Sequence, residues 1–322
     1  MQKFNQLTTP SKNISTIAKI KEVKTSITSS NKEFLSITLF DRTKTLQAKL
    51  WNCKEIDKEK ITPNSYILIS SGDLDEYQSK LQLIVRKYQI INETELSKYD
   101  LSVDDFTKSS VLNTNKEYNY LISLIKKVKN KVYREITLNL LKKYEQDFLN
   151  YPGGLRIHHN LNGGLFWHSY TLVKNALALK PNYQYTSTDW DLLMCGAILH
   201  DIGKVIEISD VTGSDYSLQG KLLGHISIGN AEIDKMAEHL GFTNEDDEKY
   251  VTLLQHMILA SHGKNEFGSP VEPKTLEAQI LSALDDLDAK IFGINDELNQ
   301  VDKEQWTQKN FFIDNKSFYK HT

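Results

Sequence analysis

Between Ser15 and Ile91 the chain alternates apolar and polar positions with a period of two. "EFLSITLFD" and "KTLQAKLWN" each set an apolar side chain at every second residue, with the turn-like "DRTK" between them. Alternation of this kind, rich in β-branched and aromatic residues, predicts strands with one buried face. "ISTIAKIKEVKTSI" precedes them, and "SYILISSGDLDEYQSKLQLIVRKYQII" adds a strand, a polar turn and another strand. About five short strands in so short a stretch predict a small antiparallel β-barrel over residues 1–91. Residues 92–115 are polar and weakly periodic, and read as a linker. From Glu117 the period becomes helical: "YNYLISLIKKVKNKVYREITLNLLKKYEQDFL" carries apolar residues at i, i+3 and i+4 spacing over many turns. Further helices are expected near 164–180, 188–202, 218–241, 246–261 and 272–293. Residues 116–322 therefore form an all-helical domain ending in a tail.

Strand count and length fit an OB-fold, with another small barrel of structural role as the alternative. Composition adds little: 39% hydrophobic and 25% charged residues describe an ordinary soluble protein. No apolar run approaches the ~20 residues that cross a bilayer, and the first residues lack the apolar core of a signal peptide. A cytoplasmic protein is expected, with no membrane partner. Cys53 and Cys195 lie far apart, without metal-knuckle spacing. Charge changes the picture more. Residues 1–90 hold 15 basic and 9 acidic residues, net +6, and the remainder of the chain is net −9. A front half tolerant of a phosphate backbone joins a back half rich in carboxylates.

That back half concentrates histidine: eight of the nine lie between His158 and His262. His168 sits early in a helix after Gly163-Gly164. His200 and Asp201 end the apolar run "LLMCGAIL". His225 follows in "LLGHISIG", His256 and His262 in "LLQHMILASHGK", and Asp285 in "LSALDDLDAK". A single histidine on an apolar helix is usually a satisfied core residue. An ordered series, each member where an unpaired charge is expensive, is resolved by directing imidazoles and carboxylates at a shared divalent cation.

"GGLFWHSYTL", "AILHDIGKVIE", "LLGHISIG" and "ALDDLDAK" resemble the HD-domain metal-dependent phosphohydrolases. The order of elements, with "FLSITLFD…AKLW", "HGKNEFGSP" and the terminal "DNKSFYK", resembles the YhaM-type 3′–5′ exoribonucleases. The resemblance implies an OB-fold-like nucleic-acid-binding domain followed by an HD domain. By position, His168, His200, Asp201 and Asp285 are implied as ligands of a first metal. Asp201 would bridge to a second, completed by His225 and by His256 or His262. The family's His-His pair before "GK" reads Ser261-His262 here, which implies a second site that is weaker or leans on His256. His158 and His159 are implied at the cavity rim, contacting substrate or water.

Lys204, about one helical turn after His200, is near enough to meet a phosphate as a point charge. Asp201, Lys204 and His200 are thus the catalytic candidates. Asp286 and Asp288 are expected to cap or to pair with Lys290. In the barrel, Lys49, Trp51 and Tyr77 are the candidates for stacking and backbone contact with a single strand, Phe34 being more deeply placed. The expected function is hydrolysis of single-stranded RNA, or DNA, from the 3′ end to 5′-mononucleotides, with one or two divalent cations, Mn²⁺ foremost. Two alternatives stand beside it: a phosphohydrolase of small nucleotides with a regulatory barrel, and a nucleic-acid-binding protein with a weakened metal site. Self-association into a homo-oligomer stays open.

Overall fold

The computed structural model describes residues 1–28, 30–77, 80–106, 114–154, 161–209, 215–310, 313 and 315–322. They fall into two units, Met1–Lys108 and Ser109–Thr322.

The first unit is built on five strands: β1 (Ser11–Ile27), β2 (Glu33–Phe40), β3 (Thr45–Trp51), β4 (Tyr66–Tyr77) and β5 (Lys80–Ile91), with a short helix α1 (Glu55–Lys60) between β3 and β4. They close a barrel in the order β1-β2-β3-β5-β4. The 17-residue β1 reaches two neighbours by bending: its first half pairs with β4, its second with β2, and the register shifts between Ile20 and Glu22. All pairings but one are antiparallel. The exception is β3 with β5, which run parallel at Ala48 and Leu83. Alternation cannot show this seam, because it fixes which face is buried but not the direction of the neighbour. The inward positions, among them Ile20, Leu35, Ile37, Leu39, Ala48, Ile67, Ile69 and Leu83, form one core. Within the stretch expected to be a linker, Leu96 and Phe106 lie on two 3-10 turns. They are buried against Ile17, Tyr66, Leu68 and Ile91, with the Phe106 ring edge-on to Tyr66 at 5.2 Å.

The second unit is helical: α2 (Thr114–Ile125), α3 (Lys131–Lys143), α4 (Glu145–Asn150), α5 (Gly164–Leu179), α6 (Trp190–Leu199), α7 (Lys204–Glu207), α8 (Leu218–His239), α9 (Glu245–Leu259) and α10 (Leu276–Leu298). The long helical run after Glu117 is three helices. Asn130 caps α3 by accepting the Tyr133 N–H, and Tyr144 separates α3 from α4. α6 is the hub. Every residue from Leu192 to Leu199 is buried, and the helix packs against α3, α5, α9 and α10. Asp189 starts it by accepting the Asp191 and Leu192 amides. No helix among the described residues is long and apolar enough to cross a membrane.

Candidate metal centre and nucleic-acid interface

His200 is the residue at which α6 ends, and Asp201 begins the tight turn into α7. Both are buried, at 0% and 2% exposure, so the hub helix delivers two polar side chains into the interior. Among the described residues, two groups of donor atoms converge there. One is His168, His200 and Asp285; the other is Asp201, His225 and His262; in each, the atoms lie within 4.8 Å of one another.

In the first group His168 Nε2 stands 3.1 Å from His200 Nε2 and 3.0 Å from Asp285 Oδ1. Asp201 adds its Oδ2, 3.3 Å from His200 Nε2 and 3.8 Å from His168 Nε2. The other oxygen of the same carboxylate, Oδ1, is 3.5 Å from His225 Nε2 in the second group. One side chain therefore faces both.

The four imidazoles share a further feature. Each Nδ1 meets an oxygen that only accepts: Asp288 Oδ2 for His168 at 2.7 Å, the Ala197 carbonyl for His200, Glu207 Oε1 for His225 and the Phe267 carbonyl for His262, the last three at 3.0 Å. An acceptor can take only Nδ1–H, so the lone pair of each neutral ring lies on Nε2, the atom directed at the cluster.

Electrostatics agree with a site for a cation. Burial would raise the Asp201 carboxyl, but Lys204, His200 and His225 hold it well below the ordinary range. Burial works against Asp285 too, and the His168 partner keeps it low. Burial alone would lower His168; Asp285 and Asp288 bring it up to about 9. A cation entering the first group must displace that proton. His262 is pushed down by burial against the pull of Asp285 and Asp201, which keeps it neutral and fit to ligate. Asp201 Oδ1 and His225 Nε2 are buried without a hydrogen-bond partner. Two such atoms left 3.5 Å apart cost free energy that a shared divalent ion relieves. The mixed nitrogen and carboxylate donors suit a first-row divalent metal.

Of the other expected residues, His256 does not join either group. Its Nε2 accepts the Lys274 amide at 2.9 Å, and burial with Lys274 nearby lowers its pKa. His262 takes the place it was expected to contest. Ser261 is buried, and its hydroxyl donates to the Ile258 carbonyl, away from a ligand role. His158 and His159 lie outside the described residues. Lys204 is no solvated point charge: it is 6% exposed, with Nζ donating to Asp201 Oδ2 at 2.7 Å and to the Gly153 carbonyl. It fixes the shared carboxylate. Asp286 pairs with Lys290 as expected, whereas Asp288 supports His168 instead. The spacing of Asp285 and Asp288, three residues apart on one helix face, was the signal for that role. Glu207 gave no such signal, because α7 is too short to show a period.

On the barrel, the side chains of Phe34, Lys49, Trp51 and Tyr77 gather on the β2–β3 face and the end of β4. Phe34 and Trp51 pair across the strands with ring centroids 4.6 Å apart. The Lys49 ammonium lies 5.2 Å from the Trp51 ring, 5.3 Å from Phe34 and 5.4 Å from Tyr77. Trp51 and Tyr77 are 38% and 57% exposed, and Phe34 shares the cluster at intermediate exposure.

Comparison with known proteins agrees with both halves. Residues 14–91 match the OB-fold nucleic acid binding domain, and residues 165–290 match the HD domain. The chain is 39% identical over 301 residues to the 3′–5′ exoribonuclease YhaM of a Geobacillus species, covering 94% of this chain and 90% of that protein. It is 37% identical to the protein of the same name from Bacillus subtilis, covering 94% and 93%, and 37% identical to that from Bacillus licheniformis, covering 94% and 92%. With both domains in the same order and the match running nearly end to end, this chain belongs to the YhaM family of 3′–5′ exoribonucleases.

Proposed function

We propose that this protein removes nucleotides from the 3′ end of single-stranded RNA, releasing 5′-mononucleotides, and that Mn²⁺ is its working metal. DNA of the same form is a second substrate. The observation that carries the reading is the Asp201 carboxylate, buried and turned toward a different donor group with each oxygen. His168, His200, Asp201 and Asp285 would hold a first cation, and Asp201, His225 and His262 a second. A divalent ion held there supplies Lewis acidity, which makes water nucleophilic near neutral pH and offsets charge building on the phosphoryl oxygens.

The chain's own residues do the rest. The Nδ1 acceptors hold four rings with Nε2 directed inward before any cation arrives, so on binding His168 gives up a proton and the rings themselves need little reorganisation. Lys204 holds Asp201 ionised and in one orientation, and by charge it also favours a phosphodiester beside the shared carboxylate. On the barrel, Trp51, Phe34 and Tyr77 offer faces for base stacking and Lys49 a charge for the backbone, worth ~1–3 kcal/mol per base without reading sequence. A net charge of +6 over residues 1–90 acts in the same direction.

The test is a 5′-labelled oligoribonucleotide incubated with the purified chain and Mn²⁺, beside Asp201→Ala. A ladder shortening from the 3′ end with wild type alone is expected. Equal cleavage by both proteins, or hydrolysis of mononucleotides with no action on the oligomer, would overturn the proposal.

A further inference from the structure

Each donor group has one histidine held by the main chain and one held by a side chain. In the first, the Ala197 carbonyl takes His200 and the Asp288 carboxylate takes His168. In the second, the Phe267 carbonyl takes His262 and the Glu207 carboxylate takes His225. The main-chain acceptors are fixed by the fold. The two carboxylates are choices of the sequence, and each sits behind a different group.

Both are built in. Asp288 is 7% exposed on α10, one turn beyond Asp285, and its oxygen lies 2.7 Å from His168 Nδ1. Glu207 is 8% exposed and meets His225 twice: Oε1 accepts both the backbone N–H and Nδ1, each at 3.0 Å. The packing around that pair leaves no slack. A Cβ added at Gly203 would lie 2.0 Å from the His225 carbonyl oxygen, and one at Gly220 would lie 2.2 Å from the Glu207 carbonyl oxygen. Gly224 adopts φ 73°, ψ 153°, which breaks α8 immediately before His225 and turns that residue's amide toward Glu207. The turn, the missing side chains and the doubly accepting carboxylate together specify one position for one imidazole.

We infer that Asp288 and Glu207 are positioning residues for the two cation sites, each fixing the tautomer and orientation of one histidine and each controlling the affinity of its own site. This rests on the two-cation reading above and extends it. A carboxylate behind an imidazole keeps Nδ1 protonated and makes Nε2 a stronger donor, and loss of such support lowers metal affinity about 10- to 100-fold. Because the carboxylates stand behind different histidines, the two effects are separable.

The experiment titrates full-length protein, stripped with chelator, with Mn²⁺ and reads free Mn²⁺ by electron paramagnetic resonance. Wild type is expected to bind two equivalents. Glu207→Ala weakens one equivalent about 10- to 100-fold and leaves the other, and Asp288→Ala weakens the equivalent that Glu207→Ala spares. Glu207→Gln and Asp288→Asn keep a carbonyl oxygen for Nδ1–H and recover most of the affinity. They carry the same test with smaller shifts where the alanine variants do not fold by circular dichroism. Two equivalents that weaken together in either variant, or not at all in both, overturn the positioning roles while leaving the two-cation reading intact. A wild-type protein that binds no Mn²⁺ overturns that reading, and this inference with it.

Discussion

The two donor groups share a carboxylate and little else. The first draws His168 from α5, His200 from the end of α6 and Asp285 from α10, three regular helices packed in the main core, and with Asp201 it has four donors at 0–13% side-chain exposure. The second has three donors, Asp201, His225 and His262, and its supports are short pieces: the four-residue α7, the kink at Gly224 and a turn past the end of α9. Where the first group is a by-product of good helix packing, the second depends on glycines and hydrogen bonds that each do one job. Ser261 adds no donor to it, since its hydroxyl is turned to the Ile258 carbonyl. A site with fewer donors binds more weakly and exchanges faster.

The largest expected contrast follows directly. His168→Ala removes a buried donor beside three others and should lower Mn²⁺-dependent hydrolysis about 10³-fold, with no recovery at high metal. His262→Ala should cost about 10- to 100-fold and recover in part as Mn²⁺ is raised, because it takes one donor from a site that has three. Rates measured across an Mn²⁺ series decide between them. Equal losses would erase the contrast, and recovery in the His168 variant only would reverse the order of the two sites.

Gly203→Ala strikes the second group through its scaffold. The added methyl would fall 2.0 Å from the His225 carbonyl oxygen, so α7 and α8 must part. Overpacking of this kind costs about 1–3 kcal/mol. In a unit of this size each kcal/mol lowers the melting temperature by about 2–4 °C. Thermal unfolding and Mn²⁺ titration of the same variant should show a lower midpoint and a weakened second equivalent, with the first retained. A variant that binds both cations normally would show that the tight packing at Gly203 is not what holds His225.

The same contrast explains what the sequence discloses. The first group was readable because its members sit inside regular helices: the apolar run of α6 announces a buried helix, and a His-Asp pair at its end demands an explanation. The second was readable only in part. His256 and His262 stand six residues apart, and helical period cannot choose between them, because α9 ends at Leu259 and His262 lies beyond it. α7 has too few residues for a pattern, so nothing in the sequence marks Glu207. On the barrel, alternation located the strands and the core. It could not give the parallel β3–β5 seam, nor show that Leu96 and Phe106 build a second apolar cluster with Ile17, Tyr66, Leu68 and Ile91. Local periodicity reports which face is buried; pairings between distant segments leave no local trace.

His256→Ala sharpens the comparison by its small effect. The ring meets the Lys274 amide and neither donor group, so Mn²⁺ affinity should be unchanged. Stability should fall by about 0.5–1.5 kcal/mol for the lost hydrogen bond, read as a shift in urea midpoint. A loss of the second cation in this variant would return His256 to the site.

The smallest effect probes the far end of α8, the helix that presents His225. Glu232 on α8 accepts from Lys143 and Tyr144 at 2.6 Å each, and from Lys235 at 3.0 Å, tying α8 to the end of α3. Burial would raise its carboxyl, but these three donors bring it down from 4.5 to about 2. A carboxylate whose folded pKa lies below its unfolded value stabilises the fold fully above the unfolded value and loses that contribution as pH falls toward the folded one. Wild type and Glu232→Gln should therefore differ in urea midpoint at pH 7, and the difference should shrink between pH 4.5 and about 2. At pH 7 the second Mn²⁺ equivalent should weaken slightly in the variant and the first not at all, because only the second takes a histidine from α8. A midpoint difference independent of pH would mean that the Glu232 charge does not anchor the helix. The second site would then rest on Glu207 and the Gly203 contact alone.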